Sequence, residues 1–234
     1  MTPFRHEIPM RWADLDSLNH VNNVVYLKYA ENARAAMGEL PEGPIGTMRV
    51  QFKRPILLGR APVVVESRLE PQRVSQTILV AGSEHEFATV ETDFGTLTED
   101  TKVNEQAHLA SIALRHTDAD ASGRVSEPQV FELFQESRIP FISTVLTQMT
   151  PGRFVVASVE VRYHREIRWT AAQLEVRAWV SRVGNASFTI EAQLVEDGVV
   201  LTSSTAILVG FDADTQASRR FSDQERESLA AALA

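Results

Sequence analysis

Two carboxylates and a run of amide side chains stand together near the amino terminus, in Arg11-Trp12-Ala13-Asp14-Leu15-Asp16-Ser17-Leu18-Asn19-His20-Val21-Asn22-Asn23. A carboxylate can act at a carbonyl as a general base or a nucleophile. The unpaired N–H groups of a helix's first turn carry partial positive charge, which suits the oxygen on which negative charge builds up. Asp16 offers the first group, and the amides around Asn23 and Val24 offer the second if a helix begins there. Each residue also has a structural use. Asp16 is a natural Asx-turn residue, and Asn22 and Asn23 are natural helix caps. Asp14 shares a face with Asp16 only in fully extended chain and reads as a partner for Arg11 or a backbone donor. His20 could orient water or shuttle protons, or simply hold the turn.

The elements that must position these groups are stated twice. Arg115-His116-Thr117-Asp118-Ala119-Asp120-Ala121-Ser122-Gly123-Arg124-Val125 aligns without gaps on Arg11 to Val21, with the shared pattern R-x-x-D-x-D-x-x-[NG]-x-V. Asp120 is thus the counterpart of Asp16, although Gly123, Arg124 and Ser126 replace Asn19, His20 and Asn22 around it, so its catalytic use stays open. Both copies run into a helix. In the first, Tyr26, Tyr29, Ala30, Ala33 and Met37 form an apolar stripe closed by Gly38. In the second, Ser126-Glu127-Pro128-Gln129 has the capping-box form, Val130, Leu133, Phe134, Ser137 and Phe141 follow at helical spacing, and Pro140 is expected to kink or end the helix.

Strand-like runs follow each helix. They are expected at about 46–52, 62–69, 76–82, 85–92 and 96–103 in the first half, and at about 153–163, 173–183, 187–196 and 199–210 in the second. A further strand precedes each motif, near 5–12 and 109–115. Asp197-Gly198 is a hairpin signal. With one helix for every four or five strands, efficient burial wraps a sheet around that helix. The expected class is therefore α+β, with domains at 1–105 and 109–212 and a tail at 213–234. Within the tail, Ser222-Asp223-Gln224-Glu225 opens a short helix through Leu233.

Composition narrows the function classes. A chain of 234 residues with 44% hydrophobic and 23% charged residues can bury a core. A formal charge of -8 disfavours nucleic acid as a partner. No cysteine is present, which removes disulfides, thiolate metal sites and a Cys nucleophile. The six histidines show no zinc-ligand spacing, and glycine-rich phosphate loops are missing, so neither a metal nor a nucleotide cofactor is expected. Without an apolar leader or a long apolar run, a cytoplasmic protein with no membrane partner is expected.

The segment from Arg11 through Asn22, Asn23 and Tyr26 resembles the approach to the central helix in hotdog thioesterases of the 4-hydroxybenzoyl-CoA type. That resemblance implies two tandem hotdog units, each an antiparallel sheet wrapped around one long helix, paired within the chain as a covalent pseudo-dimer, with further assembly into a homo-oligomer. It implies hydrolysis of an acyl-CoA or acyl carrier protein thioester without a cofactor, coenzyme A being part of the substrate. Asp16 then acts as general base or nucleophile, the amide near Asn23 polarises the thioester, and Asp120 is the second candidate. His20, Asn22, Asn23 and Tyr26 become candidate substrate contacts.

Glu31 lies on the long helix, where some hotdog enzymes carry their acid. Its plain reading is a surface pair with Arg34 at i,i+3 spacing. Coenzyme A carries phosphates, for which Arg73, and Arg182 with Ser187 in a turn resembling the Arg-Gly-Ser turn of relatives, are candidates, though an Arg ending a strand is usually just solvated. Two other readings stand beside hydrolysis: a hotdog hydratase or dehydratase, whose usual His spacing His20 does not match, and a non-catalytic binder of acyl-CoA or acyl carrier protein.

Overall fold

The structure is a computed structural model that describes residues 2–16, 19–150, 152–170, 172–212, 215 and 217–233. Ser17 and Leu18 of the first motif, and residues 213, 214, 216 and 234 of the expected tail, lie outside the described residues. Contacts divide the chain into two compact units, Met1–Leu97 and Thr98–Ala234.

In the first unit, β1 (Phe4–Ile8) leads through a single 3-10 turn at Trp12–Asp14 into α1 (Asn23–Met37). The chain continues through β2 (Ile45–Phe52), β3 (Val63–Glu70), β4 (Arg73–Val80) and β5 (Ala88–Phe94). The strands form an antiparallel sheet in the order β1-β3-β4-β5-β2. α1 packs on this sheet, burying Val24, Val25, Tyr26, Leu27, Tyr29, Ala30 and Ala33. Gly38, at φ 78, ends the helix as its spacing predicts, because a left-handed residue there costs glycine little. β1 stops at Ile8, short of the expected end, where Pro9 has no N–H to give a ladder.

The second unit repeats the order. β6 (His108–Ala113), a 3-10 turn at His116–Asp118 and α2 (Glu127–Val145) precede β7 (Phe154–Tyr163), β8 (Gln173–Val183), β9 (Ser187–Glu196) and β10 (Val199–Asp212). These strands pair as β7-β10-β9-β8-β6, and the two-residue β11 (Ala217–Ser218) adds to the end of β10. Asp197 (φ 49) and Gly198 (φ 76) make the expected tight hairpin between β9 and β10. The closing helix α3 (Asp223–Ala231) starts from the expected capping box of Ser222 and Glu225 and packs on β8.

Sheet registers coincide between the units. Phe4 stands opposite Ser67, and Ser67 opposite Gln76. His108, the repeat counterpart of Phe4, stands opposite Ala178, and Ala178 opposite Ala192. Each unit is therefore one helix laid on one five-stranded antiparallel sheet, three consecutive strands flanked by the strand before the helix and the strand after it, a hotdog-like arrangement.

Three expectations need correction. Residues 96–103 form no strand, because other groups take their backbone: Thr98 N–H donates to the Tyr163 carbonyl at 2.9 Å, the Glu99 carbonyl meets His164 Nδ1 at 2.6 Å, and Gln193 Nε2 donates to the Lys102 carbonyl at 2.9 Å. Pro140 does not end α2, which continues to Val145. Phe141 and Ile142 beyond it are buried, which outweighs the one hydrogen bond the proline removes. Finally, the Ser126 hydroxyl makes no cap bond, and Pro128 in the first turn pre-sets the helical φ instead.

Candidate active site

The loop before α1 is closed by a reciprocal pair. Asp16 N–H donates to the His20 carbonyl at 2.8 Å, and His20 N–H donates to Asp16 Oδ1 at 3.1 Å. Asn19 turns the chain at φ 59, a left-handed value that Asn tolerates. Val21 N–H then donates to the Ile56 carbonyl at 2.8 Å, which ties the loop to the chain after β2. Asp14 is structural, as expected: its Oδ2 accepts Arg11 N–H and the Tyr29 hydroxyl, both at 2.7 Å.

At the helix start, Asn22 Oδ1 accepts Val24 N–H at 3.0 Å, so Asn22 is a cap and the Val24 amide is used. The Asn23 N–H has no acceptor among the described residues, which makes it the donor that can face a carbonyl oxygen. Tyr26 is 2% exposed, and its hydroxyl accepts Ile56 N–H at 2.9 Å and donates to the Arg54 carbonyl at 3.3 Å. Burial, helped by the negative charge of Asp16, pushes the Tyr26 hydroxyl up to about 12. Tyr29 is raised as well, first by burial and then by its bond to Asp14. Tyr26 thus sits in the core as a tie between α1 and the chain after β2, and it senses the Asp16 charge.

The second loop copies the first bond for bond. Asp120 N–H donates to the Arg124 carbonyl at 2.9 Å, and Arg124 N–H returns to Asp120 Oδ1 at 3.1 Å. Gly123 turns at φ 80, and Val125 N–H reaches the Ile167 carbonyl at 3.0 Å. The surroundings differ. Asp120 Oδ1 also accepts the Ser122 hydroxyl at 2.6 Å and the Ser122 amide at 2.8 Å, and these bonds, the hydroxyl first, hold the carboxylate below its ordinary range. Glu127 and Pro128 stand where the first unit has Asn23 and Val24. A carboxylate there, 3.8 Å from Arg124, opposes a developing oxyanion, and proline has no N–H to offer it.

The remaining candidates are dispersed. The His20 ring has no hydrogen-bond partner among the described residues. Glu31 lies half-buried in the middle of α1. The expected surface setting of its pair with Arg34 needs correction, because Arg34 is 4% exposed and its Nη1 also donates to Gln76 Oε1 at 3.0 Å and Thr92 Oγ1 at 3.3 Å. Gln76 in turn donates to the Ala30 carbonyl and to Ser67 Oγ, at 2.9 and 3.0 Å. Sequence reasoning missed this buried network. The available signal was that Arg34 and Arg138 are separated by the repeat's own offset.

Arg73 and Arg182 flank hairpins of the same rank in their units, but on opposite limbs. Arg73 is engaged by Asp93 at 2.5 Å and its basicity rises accordingly. Arg182 is exposed, beside a bulge in β8, with no carboxylate partner among the described residues. Ser187 closes the neighbouring turn through its carbonyl, which accepts Gly184 N–H at 2.7 Å. Two clefts lie elsewhere, one in the second unit along residues 100–103 and 198–200, one in the first over Gln51, Glu66, Ser75 and Glu91. Neither is lined by Asp16 or Asp120.

Comparison with known proteins agrees with this arrangement. A family model described as thioesterase-like superfamily matches residues 114–233, and one for the acyl-ACP thioesterase C-terminal domain matches residues 2–110. Among solved structures, a 12:0-ACP thioesterase from Umbellularia californica superposes with a TM-score of 0.65 at 13% identity, over 88% of this chain and 94% of that one. An acyl-ACP thioesterase from Bacteroides thetaiotaomicron gives 0.61 at 10% identity, over 87% and 96%. At these identities the likeness is one of fold. Among curated proteins nothing matches.

Proposed function

We propose that this chain, which belongs to the thioesterase-like superfamily, hydrolyses an acyl thioester of coenzyme A or of an acyl carrier protein, with Asp16 as its base. The observation that carries this reading is the placement of Asp16. Its carboxylate is held by the His20 amide one short loop from a helix start whose Asn23 N–H has no acceptor among the described residues. Asp16 takes a proton from water as the water oxygen bonds to the thioester carbon, and Asn23 N–H receives the negative charge on the carbonyl oxygen. The C–S bond then breaks, and the departing thiolate takes the proton from Asp16, leaving a carboxylic acid and a thiol. The His20 ring holds the water, and Glu31 is the alternative base. Arg182 with Ser187, rather than the engaged Arg73, suits the coenzyme's phosphates. The match of residues 2–110 supports a carrier-protein thioester as well as a coenzyme A one.

The two units are read as covalent counterparts of the two subunits of a hotdog pair, on the strength of the repeated loop bonds and the repeated element order. The chemistry is assigned to the Asp16 loop, because the Glu127 carboxylate at the second helix start repels the negative charge that an oxyanion carries. The expected test is release of free thiol, read with a thiol-reactive dye, from a panel of acyl-CoA and acyl carrier protein thioesters. No thiol release from any member, on a correctly folded protein, overturns the hydrolase reading.

One observation favours a second reading, a non-catalytic acyl-thioester binder. Asp16 makes the same turn bonds as Asp120, so a purely structural carboxylate accounts for them equally. Saturable binding of an intact acyl-CoA without thiol release would select it.

A further inference from the structure

The segment joining β2 to β3 is unlike the rest of a chain whose formal charge is -8. Residues 43–65 carry Arg49, Lys53, Arg54 and Arg60 and no acid. Arg49 and Lys53 pair with Glu91 and Glu86, whereas Arg54 and Arg60 are exposed and have no carboxylate partner among the described residues. Arg11, on the loop before α1, is in the same state. Large apolar side chains stand among these cations. Trp12 is 77% exposed, Leu57 61% and Leu58 41%. The fold itself brings the two segments together, because Leu57 bridges to His20 through the backbone, and the Met10 methyl lies 3.6 Å from where a β-carbon on Gly59 would stand.

The second unit shows the same positions fitted to water. Its bridge of Arg124 to Arg168 repeats that of His20 to Leu57, which puts Arg165, Arg168 and Trp169 in the places of Arg54, Leu57 and Leu58. His116 aligns with Trp12. There the cations are answered, Arg165 by Asp100 at 2.7 Å and Arg168 by Glu166 at 2.9 Å. The aromatic ring there has a neighbour too, His116 standing 5.2 Å from Trp169 between centroids. Trp12 has no ring contact among the described residues. Single exposed apolar side chains are ordinary, but a tryptophan and two leucines gathered among unanswered guanidiniums mark an interaction surface.

Its chemistry defines what it fits. Indole and leucine side chains that stand proud of a surface enter the boundary between lipid headgroups and acyl chains, which is fluid and needs no matching socket. Arginine stems lie along that boundary while their guanidiniums bind phosphate oxygens. No helix among the described residues is long and apolar enough to cross a membrane, so the contact is peripheral. The expectation of no membrane partner rested on leaders and spans, which say nothing of such a face.

We propose that Trp12, Leu57 and Leu58, flanked by Arg11, Arg54 and Arg60, dock the first unit on an anionic phospholipid surface. Docking is read without turnover, so it stands or falls apart from the hydrolysis proposed above.

The test is co-sedimentation of the full chain with vesicles of phosphatidylcholine alone and of phosphatidylcholine with an equal part of phosphatidylglycerol. Wild type should bind the anionic vesicles about tenfold more tightly than the neutral ones, and high salt should release it. Trp12→Ser combined with Leu57→Ser should weaken binding about tenfold, and Arg54→Gln with Arg60→Gln should abolish the preference for phosphatidylglycerol. Trp169→Ser, at the second unit's counterpart of Leu58, should change nothing. Quenching of tryptophan emission by acyl-brominated lipids, in wild type and in Trp169→Ser, covers the case in which the Trp12 protein does not fold. Wild type left in the supernatant, equal binding to both vesicles, no quenching, or a Trp169→Ser loss as large as that of the Trp12 and Leu57 protein would each overturn the proposal. So would an acidic acyl carrier protein that binds in a manner lost on the same substitutions while anionic vesicles do not bind.

Discussion

Asp16 and His20 hold each other by two backbone-involving hydrogen bonds, at 2.8 and 3.1 Å, across a loop that turns at Asn19. A main-chain amide therefore helps to orient the carboxylate. An amide oxygen at the same place accepts the same bond, so charge and geometry can be separated by a single substitution.

Asp16→Asn should lower turnover by about two orders of magnitude, as expected for loss of a general base, while leaving the melting temperature near that of wild type. Steady-state thiol release together with thermal denaturation checks both halves. Unchanged turnover would transfer the role to Glu31.

Asp120→Asn should leave turnover unchanged, since the Glu127 carboxylate at the helix start beside it opposes an oxyanion. Kinetics on the same substrate panel decide this. A loss comparable to that of Asp16→Asn would place chemistry in both loops.

Gln76→Ala removes an acceptor from a buried guanidinium and should destabilise the fold by about 1–3 kcal/mol. Arg138→Met, which removes a largely buried guanidinium with no hydrogen-bond partner among the described residues, should be neutral or stabilising. Urea denaturation of the two proteins beside wild type tests the contrast. Equal losses would mean that the two arginines are bonded alike.

Glu225 links α3 to Arg219. The Arg219 guanidinium, 2.6 Å away, holds the Glu225 carboxyl down at about 2, below its ordinary 4.5. Because the folded-state value is the depressed one, the contribution is full above pH 4.5 and is lost as pH falls towards 2. Its size is on the order of 2–3 kcal/mol. Glu225→Gln should therefore melt below wild type at pH 7, and the gap should narrow at pH 3. A gap that does not change with pH would remove the charge from the explanation.

Much of this protein is legible in the chain itself, because it depends on local spacing. The repeat of Arg11 to Val21 in Arg115 to Val125, the cap at Asn22, the stop at Gly38 and the Asp197-Gly198 hairpin are set by residues within a turn of one another, whose backbone preferences need no distant partner. Only the tertiary structure decided the rest. The Arg34 network depends on partners 42 and 58 residues away, and residues 98–102 read as a strand until Tyr163, His164 and Gln193 take their backbone groups. The difference between Asp16 and Asp120 has the same origin. Both carboxylates sit in the same turn, and what separates them is the side chains that folding gathers around each, Ser122 on Asp120 and the Glu127 carboxylate at the second helix start.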